Sequence, residues 1–290
     1  MPELPDLAVV AEALHAALAG RPIVRAAAPG ALTLRGTPAE LAAIVGQRLL
    51  RVDRRGKFLR LDLEHDRIVV NPMLTGRIQL ADPGVKAPPS TSVILAFGRR
   101  ERPPADAAAW TSGAAWLPAG GAEAEVRYRD PSRMGKVYVL PAGVDRPVPG
   151  LGDDQGPDAD DPGLTLDVWR ERIRRHPGEL KALLRNQAFV AGLGNAYSDE
   201  ILHAARLDPF RRRASLAPEE IDELYRAARS TVAAAIARLR RTVPPTFERQ
   251  DREGLAIHLR GGQACLRCGS RISEVASRGE STSWCRSCQA

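Results

Sequence analysis

Four cysteines carry the plainest chemistry in this sequence. They lie within the last 26 residues, as Cys265-Leu-Arg-Cys268 and Cys285-Arg-Ser-Cys288, with sixteen residues between the pairs. Each C-x2-C turn presents two thiolates, and a hairpin between the turns would gather all four around one tetrahedral zinc ion. Two disulfides, or four unrelated thiols, are the competing readings. The start MPELPDLAVV has two early carboxylates and no basic region, unlike a secretory leader, and no cysteine stands elsewhere; both facts favour zinc. Four sulfur ligands leave no open coordination position, so such a metal is structural. Around it, Arg260, Arg267, Arg271, Arg278 and Arg286 face only Glu274 and Glu280. A basic knuckle suits phosphate, although a merely solvated one has the same composition.

Pro2 is the second candidate. A methionine before proline is normally trimmed, which would leave a terminal secondary amine with a pKa of about 8, against roughly 10.4 for lysine. Part of it is neutral at pH 7 and nucleophilic. Attack on an aldehydic sugar carbon would give an iminium, an electron sink for elimination. An exposed terminus without chemistry is the commoner fate of such a residue. Glu3 stands beside that amine, just ahead of a helix start, where the helix dipole holds a carboxylate that can serve as acid or base; a simple helix-start carboxylate looks the same. Lys57, in the basic turn Arg54-Arg-Gly-Lys-Phe58, either reaches a phosphate or leaving group or is a solvated hairpin lysine.

The elements that must position these residues change character along the chain. Leu7, Val10, Leu14 and Leu18 recur at helical spacing, with Pro5 suited to the first turn and Gly20 to the stop. From Ile23 to about Tyr138 come short β-rich runs punctuated by Gly and Pro: 58–63, 68–70, 77–80, 92–97 and 136–140. They predict an antiparallel sandwich of about 140 residues, interrupted by an Ala/Gly/Pro-rich surface excursion over 99–125. Residues 141–163 are rich in Pro and Gly and carry Asp153, Asp154, Asp158, Asp160 and Asp161; they read as a linker. Helical periodicity follows over 166–176, 179–187, 198–205 and 218–241, with the glycine-rich turn Val190–Tyr197 between the second and third helices. Few glycine-containing helix connections bind DNA, but helix–turn–helix units do. The expected domains are 1–140, the linker, 164–260 and a zinc hairpin over 261–290.

With 290 residues, about two domains are expected. Lysine and arginine exceed aspartate and glutamate by 42 to 35, a formal charge of +7, and the pI is about 9.7. A polyanionic partner and scattered surface charge both fit that balance. A hydrophobic fraction of 44% excludes wholesale disorder, and no apolar run is long enough for a transmembrane helix.

Six motifs in order resemble one family. PELPD at the start, RRGKFL, PMLTGRIQL, DPSRMGKVY, AGLGNAYSDEIL and the terminal cysteine pairs ending in CRSCQ are similar to the formamidopyrimidine-DNA glycosylase and endonuclease VIII family, over nearly the whole chain. The resemblance implies an α+β fold: an N-terminal β-sandwich with a flanking helix, then a helix–two-turn–helix domain with a zinc hairpin holding one structural Zn2+. It implies a monomeric base-excision repair enzyme, cytoplasmic and nucleoid-associated in the bacterial manner. Its partner would be double-stranded damaged DNA, lying between the two domains, with no membrane involved. By that resemblance Pro2 attacks C1′ of a flipped-out nucleotide and expels the oxidised base, Glu3 assists proton transfer, and β,δ-elimination follows. Lys57 matches the hairpin lysine at the phosphate, Asn195 and Tyr197 the turn residues holding phosphates, and Lys181 a lysine facing the lesion. Leu74, Arg133 and Met134 match the residues that fill the void left by flipping; taken alone, Leu74 and Met134 fit a core equally well.

The sequence also departs from the family pattern. Asp6 replaces a glutamate, and Asn71-Pro-Met-Leu74 replaces a His-Leu-x-Met pattern. Glu280 stands where the hairpin usually carries an arginine, with Arg278 the nearest one; a carboxylate there would repel a phosphate. The segment 242–262 is short beside the loop that covers 8-oxoguanine in related enzymes, so oxidised pyrimidines and formamidopyrimidines are expected as readily. These departures sustain an alternative: a family member that binds damaged DNA without cutting it. A zinc-ribbon protein of the ribosome or transcription type would explain the cysteines but not the N-terminal motifs.

Overall fold

The computed structural model describes residues 1–100, 122–243, 247, 250–277 and 279–289. Most of the excursion expected at 99–125, and Arg278, lie outside these residues.

The chain forms two compact units. One holds residues 1–2, 6–152 and 239–251; the other holds 3–5, 153–238 and 252–290. Helix α1 (Leu4–Leu18) opens the chain. Leu4, Leu7, Val10, Leu14 and Leu18 are all buried, and so are the alanines between them, as expected of a helix apolar all round.

In the first unit, among the described residues, two sheets pair β1 (Ile23–Ala27), β7 (Thr91–Phe97), β8 (Ala124–Arg129) and β6 (Arg77–Ala81) in that order, and β2 (Leu34–Arg35), β9 (Lys136–Leu140), β5 (Arg67–Asn71), β4 (Phe58–Leu63) and β3 (Leu49–Arg55) in the other. Neighbours are antiparallel except β2 and β9. Between β1 and β3 lies the short helix α2 (Pro38–Ala43). Leu61, Ile68 and Val137 of one sheet and Val93, Leu95 and Val126 of the other line one apolar cavity, which Leu14 of α1 also reaches. The sandwich expected from period-two alternation is therefore present, and the five expected strands are β4, β5, β6, β7 and β9. Strand β8, Ala124-Glu-Val-Arg-Tyr-Arg129, alternates as well, but its start falls within the excursion expected at 99–125. Its Glu125 and Arg127 are buried, Arg127 ion-paired to Glu125 at 2.7 Å and Glu125 also to Arg25, so charge pairing permits polar residues on a strand whose alternation would otherwise expose them.

In the second unit, α3 (Leu166–Arg175) is capped by the Thr165 hydroxyl, which accepts from the Val168 N–H at 3.3 Å. Its buried Trp169 meets Phe189 edge-on at 4.8 Å and Tyr225 at 5.8 Å. Helices α4 (Leu180–Arg185), α5 (Asn195–Ala205) and α6 (Pro218–Thr242) follow, then the hairpin β10 (Ser273–Ser277) and β11 (Glu280–Trp284). Helix α5 starts three residues earlier than its periodicity predicts. Among the described residues no helix is long and apolar enough to cross a membrane.

Residues 141–163 are not an unpacked tether. The division between units falls after Gly152. Before it, Val148 and Leu151 pack with Phe58, Val69 and Tyr138. After it, Ala159 is buried, Asp158 bridges to Ala191, and Arg229 donates to the carbonyls of Ala159 and Asp161 at 3.0 and 2.8 Å. Backbone carbonyls, invisible to a composition argument, recruit the cation.

Candidate active site and nucleic-acid interface

The Glu3 carboxylate is 2% exposed and accepts from the backbone N–H groups of Gly194, Ala196 and Tyr197 at 2.6, 2.8 and 3.3 Å. These are the unpaired donors at the start of α5, where partial positive charge collects. Glu3 is thus held by a helix N-terminus, but that of α5 and not of its own helix as its position in the sequence predicts. Gly194 offers no capping side chain, and a Cβ there would stand 2.6 Å from the Glu3 carboxyl carbon. The glycine makes room for a cap supplied from the far end of the chain, which is also why α5 begins at Asn195.

Lys181 is 6% exposed. Its ammonium pairs with Asp199 at 2.7 Å and donates to the Ser281 carbonyl at 2.8 Å and the Thr282 hydroxyl at 2.9 Å. An ammonium has three N–H donors, so all are used. Burial lowers its pKa, opposed by Asp199. The expected lesion-facing lysine is instead a buried clamp between α4, α5 and β11. Asn195 donates its amide to the same Ser281 carbonyl at 2.8 Å. The Tyr197 side chain is 1% exposed and has the Arg252 guanidinium 5.8 Å from its ring centre, so burial withdraws the expected phosphate contact from that ring. Asp199 also meets His258 Nδ1 at 2.8 Å and accepts from the Ser283 N–H at 3.2 Å. Sequence reasoning missed Asp199 and His258; only the SDE run beside the glycine turn pointed toward the first.

The sulfurs of Cys265, Cys268, Cys285 and Cys288 lie within 4.8 Å of one another. The pairs Cys268–Cys285 and Cys265–Cys288 are 3.5 and 4.0 Å apart. Tetrahedral sulfurs at 2.3 Å from zinc would be separated by about 3.8 Å, whereas a disulfide needs about 2.05 Å. The donor set and spacing therefore fit zinc, and all four thiols are free. Burial drives Cys288 up to about 12, while hydrogen bonding with Ser270 draws Cys268 down to about 6. Only a shared cation would let four crowded sulfurs be thiolates together.

In the sandwich unit Pro2 is buried and lines a small pocket with Asp6, Pro72, Gly76 and Phe247. Met1 before it is 38% exposed. Lys57 occupies the tip of the β3–β4 hairpin, half-buried, after Gly56, whose φ of +55° is what a two-residue turn requires at its first central position. Leu74 and Met134 are 50% and 46% exposed, and Arg133 is exposed, so the core reading of Leu74 and Met134 does not hold.

Their two loops are tied together by Asp130, itself 2% exposed. It accepts from the Thr75 hydroxyl, from the Gly135 N–H at 2.7 Å and from the Ser132 N–H at 3.2 Å. Burial pushes its pKa up, but these hydrogen bonds outweigh burial and leave it below the ordinary value. The Lys136 ammonium donates to the carbonyls of Arg133, Met134 and Gly135 at 2.9, 2.9 and 3.2 Å. Arg133 is thereby held at a φ of +57°, and Met73 in the facing loop stands at +48°, conformations that need outside support in non-glycine residues.

The comparisons with known proteins agree with this fold. Residues 1–137 match the formamidopyrimidine-DNA glycosylase N-terminal domain, residues 155–244 the formamidopyrimidine-DNA glycosylase H2TH domain, and residues 262–290 a zinc finger found in FPG and IleRS. The chain is 30% identical over 297 residues to the formamidopyrimidine-DNA glycosylase of Geobacillus kaustophilus (strain HTA426), and 32% identical over 304 residues to that of Heliobacterium modesticaldum (strain ATCC 51547 / Ice1), covering 100% of both chains in each case. The crystal structure of the MutM (Fpg) protein from Thermus thermophilus superposes with a TM-score of 0.78 at 28% identity, over 99% of this chain and 98% of that one. Lactococcus lactis Fpg, solved with abasic-site DNA, shares the fold with a TM-score of 0.82 at 22% identity, over 99% of each chain. Three domains matched in order, on a chain similar from end to end and folded alike, establish that this protein belongs to the formamidopyrimidine-DNA glycosylase family.

Proposed function

We propose that this protein is a base-excision repair DNA glycosylase with AP lyase activity, acting on double-stranded damaged DNA through Pro2. One observation carries the reading. Glu3, adjacent to Pro2, is a fully buried carboxylate held by three backbone N–H groups at the start of α5. A helix-start carboxylate with no further role has no need of such a mount, whereas proton transfer beside a reacting amine requires a fixed one.

Removal of the exposed Met1 turns the Pro2 nitrogen from an amide into a secondary amine. The damaged nucleotide must leave the stack for its C1′ to be reached. The Pro2 nitrogen then bonds to C1′, the bond from C1′ to the base breaks, and the base departs with a proton. The C1′–O4′ bond then opens, O4′ taking a proton, and leaves an iminium that acidifies C2′; loss of the C2′ proton breaks the C3′–O bond, and a second elimination, with loss of the C4′ proton, breaks the C5′–O bond, each phosphate leaving with the electron pair. Water hydrolyses the remaining imine and frees Pro2. Glu3 moves protons at the sugar, and Lys57, on its hairpin tip, meets the phosphate. Leu74, Arg133 and Met134 fill the vacated stack: an apolar, a cationic and an apolar group on two loops bound to each other. Asn195, at the start of α5, takes a phosphate in this reading. Lys181 is left out of the lesion contacts because its donors are spent. Cys265, Cys268, Cys285 and Cys288 would hold one structural Zn2+, which supplies the hairpin with a core and takes no part in the chemistry.

Borohydride trapping tests the reading. Duplexes with an abasic site, 8-oxoguanine, a formamidopyrimidine or an oxidised pyrimidine would be incubated with the protein and with Pro2→Gly. A covalent adduct mapped to residue 2 and lost in the variant is expected. No adduct on any duplex, with Met1 removed and zinc bound, would leave the non-cutting, damage-binding reading in its place.

A further inference from the structure

Glu280 opens β11 on a hairpin whose other charges are mostly basic, and a carboxylate there opposes a polyanion. In the structure it is matched by a residue from another element: its carboxylate accepts from the Arg185 guanidinium. Arg185 ends α4, and its backbone is fixed. The Gln187 side-chain amide donates to the carbonyls of Arg185 and Leu193 at 2.8 and 2.9 Å, and its oxygen accepts from the Gly192 N–H at 2.9 Å. One side chain thus ties the end of α4 to the turn before α5. On the hairpin side, Ser281 follows Glu280 and takes hydrogen bonds from both Lys181 and Asn195.

The two cations of α4 differ in what they have left to give. Lys181 is buried and saturated. The Arg185 side chain is 33% exposed, and among the described residues its contact with Glu280 engages one Nη group of a fork with five donors. Glu280 is itself 48% exposed, so the pair stands in water, where an ion pair contributes little to stability and a competing anion can reach it. A guanidinium on a fixed backbone, beside the Asn195 turn, has the fork geometry for a phosphodiester.

We propose that Arg185 is a phosphate-binding residue of this protein, and that Glu280 occupies its guanidinium in the free protein and yields it to a DNA phosphate. The inference rests on the duplex binding proposed above. It restores to this surface the positive charge that Glu280 removes from the hairpin.

The test is the salt dependence of binding. Zinc-loaded full-length protein would be titrated against an abasic-site duplex by fluorescence anisotropy at salt concentrations from about 50 to 200 mM, with R185A, R185K and E280Q alongside. Loss of one phosphate contact lowers the slope of log affinity against log salt by about one. R185A is expected to show that loss, R185K to keep the wild-type slope with weaker binding, and E280Q to bind more tightly than wild type. Matching zinc content and thermal midpoints would show that R185A is folded, and R185K, which keeps the charge, separates a lost contact from a lost fold. A wild-type slope in R185A, or weaker binding by E280Q, would overturn the assignment while the glycosylase reading stands. Wild-type protein that binds no duplex would overturn both.

Discussion

Glu3 shows how one side chain can serve a fold and, in the proposed mechanism, a reaction as well. Its carboxylate answers three N–H groups at the start of α5. Glu3→Ala would bury those donors without an acceptor, at a cost on the order of 1–3 kcal/mol. Glu3→Gln keeps an oxygen acceptor but loses the charge and the proton-transfer group. Thermal unfolding should therefore fall well below wild type for the alanine variant and much less for the glutamine variant, while single-turnover excision is lost in both. Equal stability of Glu3→Ala and wild type would refute the capping role. Lys181 teaches the reverse lesson. By type and motif it invites a ligand, yet Asp199, Ser281 and Thr282 take all its donors.

At the scale of elements, the two loops bearing Leu74 and Arg133 act as one because Asp130 binds both. Its pKa is depressed in the fold. A depressed carboxylate contributes stability that is fully present above its unfolded pKa, near about 3.9, and is lost as pH falls through the folded value. Thermal midpoints measured between about pH 3 and 7 should thus fall at the acid end for wild type, and fall less for Asp130→Asn, whose midpoint is already lower at neutral pH. Parallel curves would mean that Asp130 is not the group responsible. Excision in Asp130→Asn should drop further on base-paired lesions, where the stack must be filled, than cleavage at a preformed abasic site. Much of this level was legible beforehand: β4 and β6 follow from alternation, β5, β7 and β9 from short β-rich runs, and α3 and α6 from helical period. Strand β8 alternates too, but the Ala/Gly/Pro-rich run before it hides its start, and the burial of Glu125 and Arg127 as ion-paired partners is nothing a period count shows.

For the molecule as a whole, neither unit is one continuous stretch. The chain changes unit after Pro2, Pro5, Gly152, Arg238 and Asp251, so no single boundary in the acidic segment could have described it. The cysteine cluster rests on a small apolar set, Ile257 and Ile272 with Cys265 and Cys285. So small a core generally needs a metal to hold it. Elemental analysis should find one zinc per chain. A strong chelator should abolish duplex binding and lower the first thermal transition, while the sandwich, with its own buried core, melts separately. Unchanged binding in the metal-free protein would sink the structural role.

Features that repeat or cluster locally were legible in the chain alone: the sandwich strands by alternation and short β-rich runs, the helices by period, and the zinc ligands by two short turns at hairpin spacing. The reactive candidates, Pro2 and Glu3, likewise stand in plain view at its start. Which group answers each polar side chain emerged only on folding. Glu3 meets α5 about 190 positions away, Lys181 is spent on β11, and Glu280 is matched by Arg185 across 95. Periodicity reports which face of an element avoids water. The partner of a buried charge is chosen by hydrogen-bond satisfaction in three dimensions, and nothing in the local sequence records it.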